Sequence, residues 1–276
     1  MSQGFDSGIF PMHGQHMVDI HCHILPGLDD GSDSLETSIQ MAEMAIADGV
    51  THVVGTPHAN STYKFDPDLN RQRRDELQAA VGDRLQLATG CDFHLNYENL
   101  QGLQQDQKKY TINQKNYLLV EFADFAIPPS MDETLHQLQL TGLSPIITHP
   151  ERNGLLRAQP ERMYRWLHQG CYAQITAGSL LGRFGSGAQH RAEEWLDAGR
   201  VHFVASDAHN LKSRPLQLRG AFEAVAKRSG EDVARALFQD NPLAVFEGRG
   251  LPYEPEQLDP SAKPPQYHKR KRFFFF

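Results

Sequence analysis

The sequence predicts an α/β fold in which seven strands alternate with helices. Short apolar runs rich in Val and Ile recur along the chain, and each precedes a longer segment whose apolar residues have helical spacing. That alternation is typical of parallel βα units. The near-continuous apolar character of the runs indicates strands that are covered on both faces. Seven such units in one uninterrupted series, within 276 residues, favour a single closed or nearly closed barrel.

The strands and helices are predicted in the following order. The seven strands are VDIHCH (18–23), HVVGTPH (52–58), LQLATG (85–90), YLLVEF (117–122), PIITHP (145–150), YAQITAG (172–178) and HFVASDAH (202–209). Three helix starts carry capping residues, which are Asp33 with Glu36, Asp66 with Pro67, and Ser130 with Glu133. Gly142 and Gly170 stand where helices are expected to end. The region from about 215 to 247 is interpreted as two final helices with no later strand.

The composition excludes several classes of protein. The 27 Lys and Arg residues are outnumbered by 34 Asp and Glu, which gives a net charge of −7. No basic stripe offers the footprint of a nucleic-acid binder, so nucleic acid is not an expected partner. No stretch approaches the roughly 18–20 consecutive apolar residues that span a bilayer. The cysteines, Cys22, Cys91 and Cys171, include no C-x-x-C pair, which predicts neither disulfides nor a thiolate zinc site and favours a reducing cytoplasm.

One domain is predicted, over residues 17–250. Residues 1–16 lack the basic and apolar segments of a signal peptide and are interpreted as a flexible leader. Residues 251–276 form a Pro-rich tail that ends in KRKR followed by four Phe. Such an end could contact an anionic bilayer surface weakly through its basic residues and rings, and a disordered end is the competing interpretation.

Ionisable residues end strand after strand, and they are the most informative feature of the sequence. They are His21, His23, His58, Asp92, Glu121, His149, Asp207 and His209. In α/β barrels the carboxyl ends of the strands form one mouth, so these groups are expected to converge. Burying so many imidazoles and carboxylates without compensating cations would be heavily penalised by desolvation and like-charge repulsion. The donor set suits divalent Zn, Mn or Fe.

Longer motifs around these residues resemble a known family. The matching segments are MVDIHCHILPGLDDGSDSLETSIQMAEMAIADGV, GTPH, LLVEF, THPERN, SLLGRFG and ASDAHN. In order and without large insertions, over residues 17–247, they resemble bacterial polymerase-and-histidinol-phosphatase (PHP) domains. More narrowly, they resemble the CpsB/CapC-type manganese-dependent protein tyrosine phosphatases of capsule and exopolysaccharide loci. The resemblance implies a distorted seven-stranded βα barrel, the PHP fold, with a three-metal site that holds manganese; iron or zinc would suit the same ligands.

The resemblance also implies how the ligands are distributed among three ions. His21, His23 and Asp207 resemble the ligands of the first ion, Glu121 and His149 those of the second, and Asp30, His58 and His209 those of the third. Asp92 would bridge the first two ions, at a position where the family usually carries Glu in a G-x-E motif. This chain has Gly90-Cys91-Asp92 instead. The shorter side chain bears on the bridging geometry but not on the carboxylate chemistry.

Such a centre is expected to bind and hydrolyse a phosphomonoester. Three divalent ions and four carboxylates leave a charge of about +2, which attracts a phosphate dianion, and a metal-bridging hydroxide would attack phosphorus in line. Arg152 and Arg214 are predicted to clamp the non-reacting phosphoryl oxygens, because a guanidinium offers two parallel hydrogen bonds. A salt bridge is the competing interpretation of both arginines. The expected substrate is phosphotyrosine on a protein, a membrane-associated tyrosine kinase that controls capsule or exopolysaccharide synthesis.

Two other functions stay open. One is a PHP phosphoesterase that acts on a small phosphate such as histidinol phosphate. The other is a catalytically silent metal-binding regulator, which only Asp92 in place of Glu favours. A cysteine-dependent phosphatase is excluded, because no Arg follows any of the three cysteines by six residues. Oligomerisation is left open by the sequence.

Overall fold

The structure is a computed structural model and describes residues 16–256. The predicted leader, apart from its last residue, and the KRKRFFFF tail lie outside the described residues. The strands in this range are β1 (Met17–Cys22), β2 (Val50–Gly55), β3 (His58–Ala59), β4 (Gln86–Thr89), β5 (Asp92–His94), β6 (Tyr117–Glu121), β7 (Ser144–Thr148), β8 (Tyr172–Thr176) and β9 (Phe203–Ala205). The α-helices are α1 (Leu35–Asp48), α2 (Pro67–Val81), α3 (Tyr97–Gln105), α4 (Met131–Leu140), α5 (Gly154–Ala158), α6 (Pro160–His168), α7 (Ala177–Leu180), α8 (Gly185–Asp197), α9 (Arg219–Ser229), α10 (Glu231–Arg235) and α11 (Asn241–Glu247). Within residues 16–256, no helix combines the length and the apolar character that crossing a membrane requires.

The strands pair in parallel and form two sheets. One sheet has the order β1-β2-β4, and the other has the order β3-β5-β6-β7-β8-β9. The second predicted strand is therefore divided, since residues 56–57 separate β2 from β3. The third predicted strand holds β4, and the short β5 follows it after residues 90–91. The prediction of a parallel α/β fold is confirmed.

Closure into one barrel is not confirmed by this pairing. β1 reaches the segment after β9 only through an isolated parallel bridge between Cys22 and Ala208. Around that bridge, Asp207 N donates to His21 O at 2.8 Å and His23 N donates to Ala208 O at 2.9 Å. The end of β1 thus lies beside the residues that follow β9, while the hydrogen-bond ladders define two sheets.

The predicted helix starts agree with the structure to different degrees. Asp66 caps α2 as predicted, because its carboxylate accepts two backbone N–H groups of the first turn. The prediction for α1 is wrong by one residue: Ser34 is the N-cap and accepts from Thr37 N at 3.2 Å, whereas Asp33 accepts from the Thr37 hydroxyl. Ser130 precedes α4, but its backbone is already helical and its side chain makes no capping hydrogen bond. The predicted capping box at α4 is therefore not formed.

Glycines end helices where the sequence predicted it. Gly142 and Gly170 follow α4 and α6 with φ angles of 87° and 92°, a left-handed conformation that glycine adopts at low cost. Gly230, with φ of 100°, separates α9 from a second helix that runs from α10 through a π turn at 236–240 into α11. The prediction of two final helices is confirmed.

Two apolar clusters hold the strands in place. The smaller cluster draws on both sheets and contains Val18, Ile20, Val54, Ala88, Ile112, Tyr117, Leu119, Ile146, Phe203, Ala205 and Val245. The larger cluster packs strands against helices and includes the fully buried Trp166 and Trp195. The strands bury mainly apolar side chains along their lengths.

Burial of His202 predicts that acid destabilises the fold. His202 Nδ1 accepts from Ala173 N at 3.3 Å, and burial lowers the pKa of His202 from 6.5 to about 4. Between these values the unfolded chain binds a proton at His202 and the folded chain does not. Its contribution to stability is therefore complete above about pH 6.5 and is lost as the pH falls toward about 4, by up to about 3 kcal/mol.

Urea unfolding of metal-free protein near pH 7.5 and near pH 5 measures this loss. His202→Asn keeps a hydrogen-bond acceptor but cannot titrate, so it should lose less stability between the two pH values than the wild type. Equal losses in variant and wild type would show that His202 does not carry the effect.

Candidate metal centre

β1 and the residue that follows it supply two imidazoles at the carboxyl ends of the strands. His21 and His23 stand two residues apart, so alternation along the strand places them on one side, and their Nε2 atoms lie 3.3 Å apart. Cys22, between them, is buried in the larger apolar cluster instead. The Asp19 carboxylate accepts from the backbone N–H groups of His21 and Ser206 at 3.2 and 3.1 Å. This contact fixes the end of β1 to the segment after β9.

Asp92 and Asp207 both approach His21. Its Nε2 lies 3.5 Å from Asp92 Oδ2 and 3.5 Å from Asp207 Oδ1. Asp207 Oδ1 is also 3.4 Å from His23 Nε2. His21, His23 and Asp92 offer ligand atoms within 4.8 Å of one another, and all three are buried. A cation held by this first group would be shielded from solvent.

A second group surrounds the outer side of His23. Asp30 Oδ1 lies 3.4 Å from His58 Nε2 and 3.6 Å from His209 Nε2. The rings of His58 and His209 have their centroids 4.5 and 3.9 Å from that of His23. The ligand atoms of these four side chains lie within 4.8 Å of one another. Asp30 is the most open member, with half of its side chain exposed, so this group faces solvent.

Glu121 belongs to a third group, which shares His58 with the second group and Asp92 with the first. Its Oε2 lies 3.5 Å from His58 Nδ1, and its Oε1 lies 3.7 Å from His149 Nε2. Asp92 Oδ2 is 3.2 Å from His58 Nδ1, and His58, Asp92 and Glu121 form the third group within 4.8 Å. His149 and Asp207 join through pairwise contacts. The structure therefore brings all nine residues singled out from the sequence into one network, with Asp92 common to two of its groups.

Two residues of the network have unusual backbone conformations. His149 follows β7 with φ of 32°, and Asp207 lies shortly after β9 with φ of 50°. Positive φ is uncommon for residues other than glycine. It costs about 1–3 kcal/mol and is concentrated at functional sites. In both cases the strain lies where the chain leaves a strand and places a side chain in the network.

The charges in the network follow from burial beside opposite charges. Burial alone would raise the pKa of Asp92 and Asp207, but neighbouring imidazoles hold both pKa values well below their usual range. Burial also opposes charge on His58, yet the adjacent carboxylates of Asp92 and Glu121 raise its pKa to about 11. Burial, reinforced by the nearby Arg152 charge, lowers the pKa of His149 to about 4. The carboxylates of Asp92 and Asp207 are thus ionised at neutral pH and attract positive charge.

The donor atoms fit divalent metal ions. Within the described part of the chain, His58 Nδ1, Asp92 Oδ2 and His209 Nε2 are buried without a hydrogen-bond partner. Buried polar atoms are ordinarily paired, so orphaned ones need an explanation. All three residues belong to the groups whose ligand atoms cluster. Imidazole nitrogens and carboxylate oxygens are ligands of Zn, Mn and Fe, and such ions would satisfy the orphaned atoms.

Two supporting residues are absent from the sequence-based prediction. Asp29 Oδ2 lies 2.6 Å from His23 Nδ1 and accepts from His58 N at 3.0 Å. Gln174 Oε1 lies 2.9 Å from His21 Nδ1. Both contacts orient an imidazole so that its Nε2 faces the network, as carboxylate and carbonyl partners of metal-binding histidines do. The sequence contained a pattern that could have indicated Asp29, because the LDDG turn carries two adjacent acidic residues. It contained no such pattern for Gln174, which lies in the middle of β8.

Asp29→Asn is expected to weaken metal binding by about 10- to 100-fold, the usual effect of losing a partner that orients a ligand histidine. Asparagine keeps the shape but removes the charge beside His23 Nδ1. Titration of metal-free protein with Mn²⁺, in competition with a chelator, measures the change. Asp33→Asn, which alters an exposed aspartate outside the network, serves as the control. Unchanged affinity in the Asp29 variant would contradict this role.

Two arginines from different segments meet at Asp207. Arg152 follows β7 and Arg214 follows β9, and each donates to Asp207 Oδ2. Each arginine side chain is 24% exposed, so both are accessible at the edge of the network. The structure thus places both predicted clamp residues beside the candidate ligands, in ion pairs with one of them.

A cavity of about 340 Å³ opens beside the network. Glu121, His149 and Arg152 contribute polar walls, and Phe122 and Phe184 contribute apolar ones. The remaining lining residues are Asp124, Thr148, Asn153, Leu156, Arg157 and Ala188. Such a lining suits a ligand with an anionic head and an apolar body.

Comparison with known proteins gives the family. Residues 17–247 match the family model described as capsular polysaccharide synthesis, CpsB/CapC. The chain belongs to the CpsB/CapC family. Its relatives in this family include the tyrosine-protein phosphatase YwqE of Bacillus subtilis, which is 34% identical over 94% of this chain and 100% of YwqE. The tyrosine-protein phosphatase CpsB of Streptococcus pneumoniae is 31% identical over 83% of this chain and 98% of CpsB.

Solved structures agree with membership of the CpsB/CapC family. One chain from the crystal structures of B. subtilis YwqE and S. pneumoniae CpsB, which are described as unique metal-dependent tyrosine phosphatases, superposes with a TM-score of 0.81. It is 33% identical, and the match covers 88% of this chain and 100% of that one. The lactonase Lmo2620 of Listeria monocytogenes, with a TM-score of 0.54 at 12% identity, shares the fold alone. The resemblance predicted from the motifs is confirmed, and the CpsB/CapC relatives are metal-dependent tyrosine phosphatases.

Proposed function

We propose that this protein is a metal-dependent phosphatase that removes the phosphoryl group from phosphotyrosine on a protein. The observation that carries the proposal is the network of imidazoles and carboxylates, in which Asp207 pairs with Arg152 and Arg214 beside a cavity that Arg152 lines. The named activity of the CpsB/CapC relatives supports the same reaction.

The network residues would hold three divalent ions. The proposed ligands are His21, His23 and Asp207 for the first, Glu121 and His149 for the second, and Asp30, His58 and His209 for the third, with Asp92 between the first and second. Bound ions would activate water as the nucleophile and neutralise the leaving oxygen. The proposed metal is manganese, with iron or zinc compatible with the same donors.

The protein's own groups bind and orient the phosphoryl group. Arg152 and Arg214 present planar guanidinium donors that match phosphoryl oxygens. Asp207 holds both side chains in place through ion pairs, so the donors are positioned before substrate arrives. His149 is neutral at physiological pH because burial lowers its pKa to about 4. It is therefore suited to act as a ligand rather than as an acid.

We further propose that the two sheets act as one distorted barrel of seven strand segments, the PHP fold. Only two residues separate β2 from β3, and only two separate β4 from β5, so each pair counts as one bent strand. The bridge between Cys22 and Ala208 connects the first segment to the last. In such a ring the carboxyl ends of the strands face one mouth. A single domain over residues 17–250 is compatible with the family match to 17–247.

The proposed substrate protein is a membrane-associated tyrosine kinase that controls capsule or exopolysaccharide synthesis. The family description and the names of the relatives support a phosphotyrosyl protein. The proposed location is the cytoplasm, where the three buried cysteines would stay reduced. The proposed weak membrane contact through KRKRFFFF concerns a segment outside the described residues.

A comparison of substrates tests the proposed function. Metal-depleted protein should be inactive, and added Mn²⁺ should restore hydrolysis of a phosphotyrosyl peptide. The kcat/KM for the phosphotyrosyl peptide should exceed the kcat/KM for histidinol phosphate by about tenfold or more, since a phenolate of pKa near 10 leaves more easily than an alkoxide. Preference for histidinol phosphate would show a small-molecule phosphatase instead. No turnover with any divalent ion would show a silent regulator.

A further inference from the structure

Phe184 contacts both arginines, and the function proposed above gives it no role. It lies in the SLLGRFG segment directly before α8 and is partly exposed. The guanidinium carbon of Arg152 lies 4.2 Å from the centre of the Phe184 ring, and that of Arg214 lies 6.0 Å from it. A cation within about 6 Å of a ring centre is attracted by the electron-rich face. One aromatic ring thus accompanies the arginine pair that meets at Asp207.

The Phe184 ring packs closely against the backbone at Gly178. A Cβ at Gly178 would lie 2.9 Å from Phe184 Cε2, so any side chain there would push the ring away. Gly178 belongs to α7, whose Ser179 hydroxyl donates to Glu151 Oε1 at 2.7 Å. Glu151 is buried and directly precedes Arg152. The hydrogen bond between Ser179 and Glu151 therefore connects the backbone beside the Phe184 ring to the segment that carries Arg152.

The same ring is also a wall of the cavity beside the network. Phe122, Leu156 and Ala188 are the other apolar lining residues. A phosphotyrosyl side chain carries its phosphoryl group directly on an aromatic ring. When that phosphoryl group meets Arg152, the attached ring must enter the space that Phe184 borders. Aromatic rings pack favourably in offset or edge-to-face pairs, which an alkyl phosphate cannot form.

We propose that Phe184 is a positioning and specificity-determining residue. It holds Arg152 for phosphoryl binding and presents its ring to the aryl group, so that the site favours aryl over alkyl phosphates. The inference rests on the proposed phosphatase function and names the substrate feature that the cavity would recognise, the aryl group attached to the phosphoryl group.

The test measures binding with a pair of probes that share an anionic head, phenylphosphonate and methylphosphonate. Calorimetry with the manganese-loaded full chain gives both affinities without any turnover. Phe184→Ala should weaken the binding of phenylphosphonate about tenfold, because it removes both the contact with the aryl group and the support of Arg152. It should weaken the binding of methylphosphonate only about threefold, because that probe loses the support of Arg152 alone. Phe184→Tyr, which keeps the ring, should restore both affinities.

Gly178→Ala displaces the ring without deleting it. Gly178 does not have a positive φ, so alanine suits its backbone, and the variant should lose the same selectivity as Phe184→Ala. Gly187→Ala is the matched control, because the added Cβ would lie 3.6 Å from Arg157 Nη1, an ordinary contact. Thermal unfolding verifies that each variant is folded.

The ratio of the two affinities decides the proposal. If Phe184→Ala and Gly178→Ala both keep the wild-type ratio, Phe184 does not select aryl groups and the proposal is overturned. A shifted ratio supports it even if the wild type hydrolyses no phosphotyrosyl peptide, an outcome that would reject the phosphatase function alone.

Discussion

Asp92→Ala is expected to abolish phosphatase activity, lowering kcat/KM by about 10³-fold or more, because it removes the buried charge that we propose holds metal and that lies in two of the three ligand groups. Asp92 Oδ2 lies 3.5 Å from His21 Nε2 and 3.2 Å from His58 Nδ1. The carboxylate is fully buried, so solvent cannot replace its charge. Elemental analysis of the purified variant, together with p-nitrophenyl phosphate turnover at saturating Mn²⁺, measures both losses.

Asp92→Glu is the informative companion variant. It introduces the glutamate that the motif resemblance implies at this position, and it keeps the carboxylate. We expect it to bind metal and to retain activity within about tenfold of the wild type, as a change of ligand length rather than of ligand type. Asp83→Ala, which alters an exposed aspartate, should leave turnover unchanged. Full metal content and normal turnover in Asp92→Ala would mean that the network does not hold the catalytic ions.

The strands were predictable because their signal is local. Runs such as YLLVEF and PIITHP are mostly apolar, and β6 and β7 fall within two residues of the predicted bounds. The division into two sheets was not predictable. It depends on where neighbouring ladders break at residues 56–57 and 90–91, which is a property of strand pairing rather than of any one run.

Eight of the nine candidate ligands were also predictable, because each stands near the end of a predicted strand and fold geometry brings strand ends together. Asp30, in the LDDG turn, was predicted only from the family resemblance. The residues that support these ligands were not predictable. Gln174 contacts His21 across 153 positions of sequence, and a glutamine within a strand has no distinguishing pattern. Phe184 likewise becomes informative only when the distances from its ring to Arg152 and Arg214 are known. Sequence motifs identify the candidate metal ligands and the arginines. The residues that orient them are recognised only from their positions in the structure.

Arg152 separates the two interpretations that the sequence left open, a phosphoryl clamp and a salt bridge. In the structure it pairs with Asp207 and stacks on Phe184, so the salt bridge exists and does not by itself exclude the clamp. A salt bridge requires only positive charge, which lysine supplies. A clamp requires the planar fork of donors, which lysine lacks.

Arg152→Ala is therefore expected to lower kcat/KM for a phosphotyrosyl peptide by about 10²–10³-fold, and Arg152→Lys should recover no more than about tenfold of that loss. Metal content should stay near the wild-type value in both variants, which distinguishes them from Asp92→Ala. Arg183→Lys makes the same chemical change at an exposed neighbour of Phe184 and should be silent. Wild-type kcat/KM in Arg152→Lys would reduce Arg152 to a charge partner of Asp207, because only a role in gripping the transferred group requires the guanidinium itself.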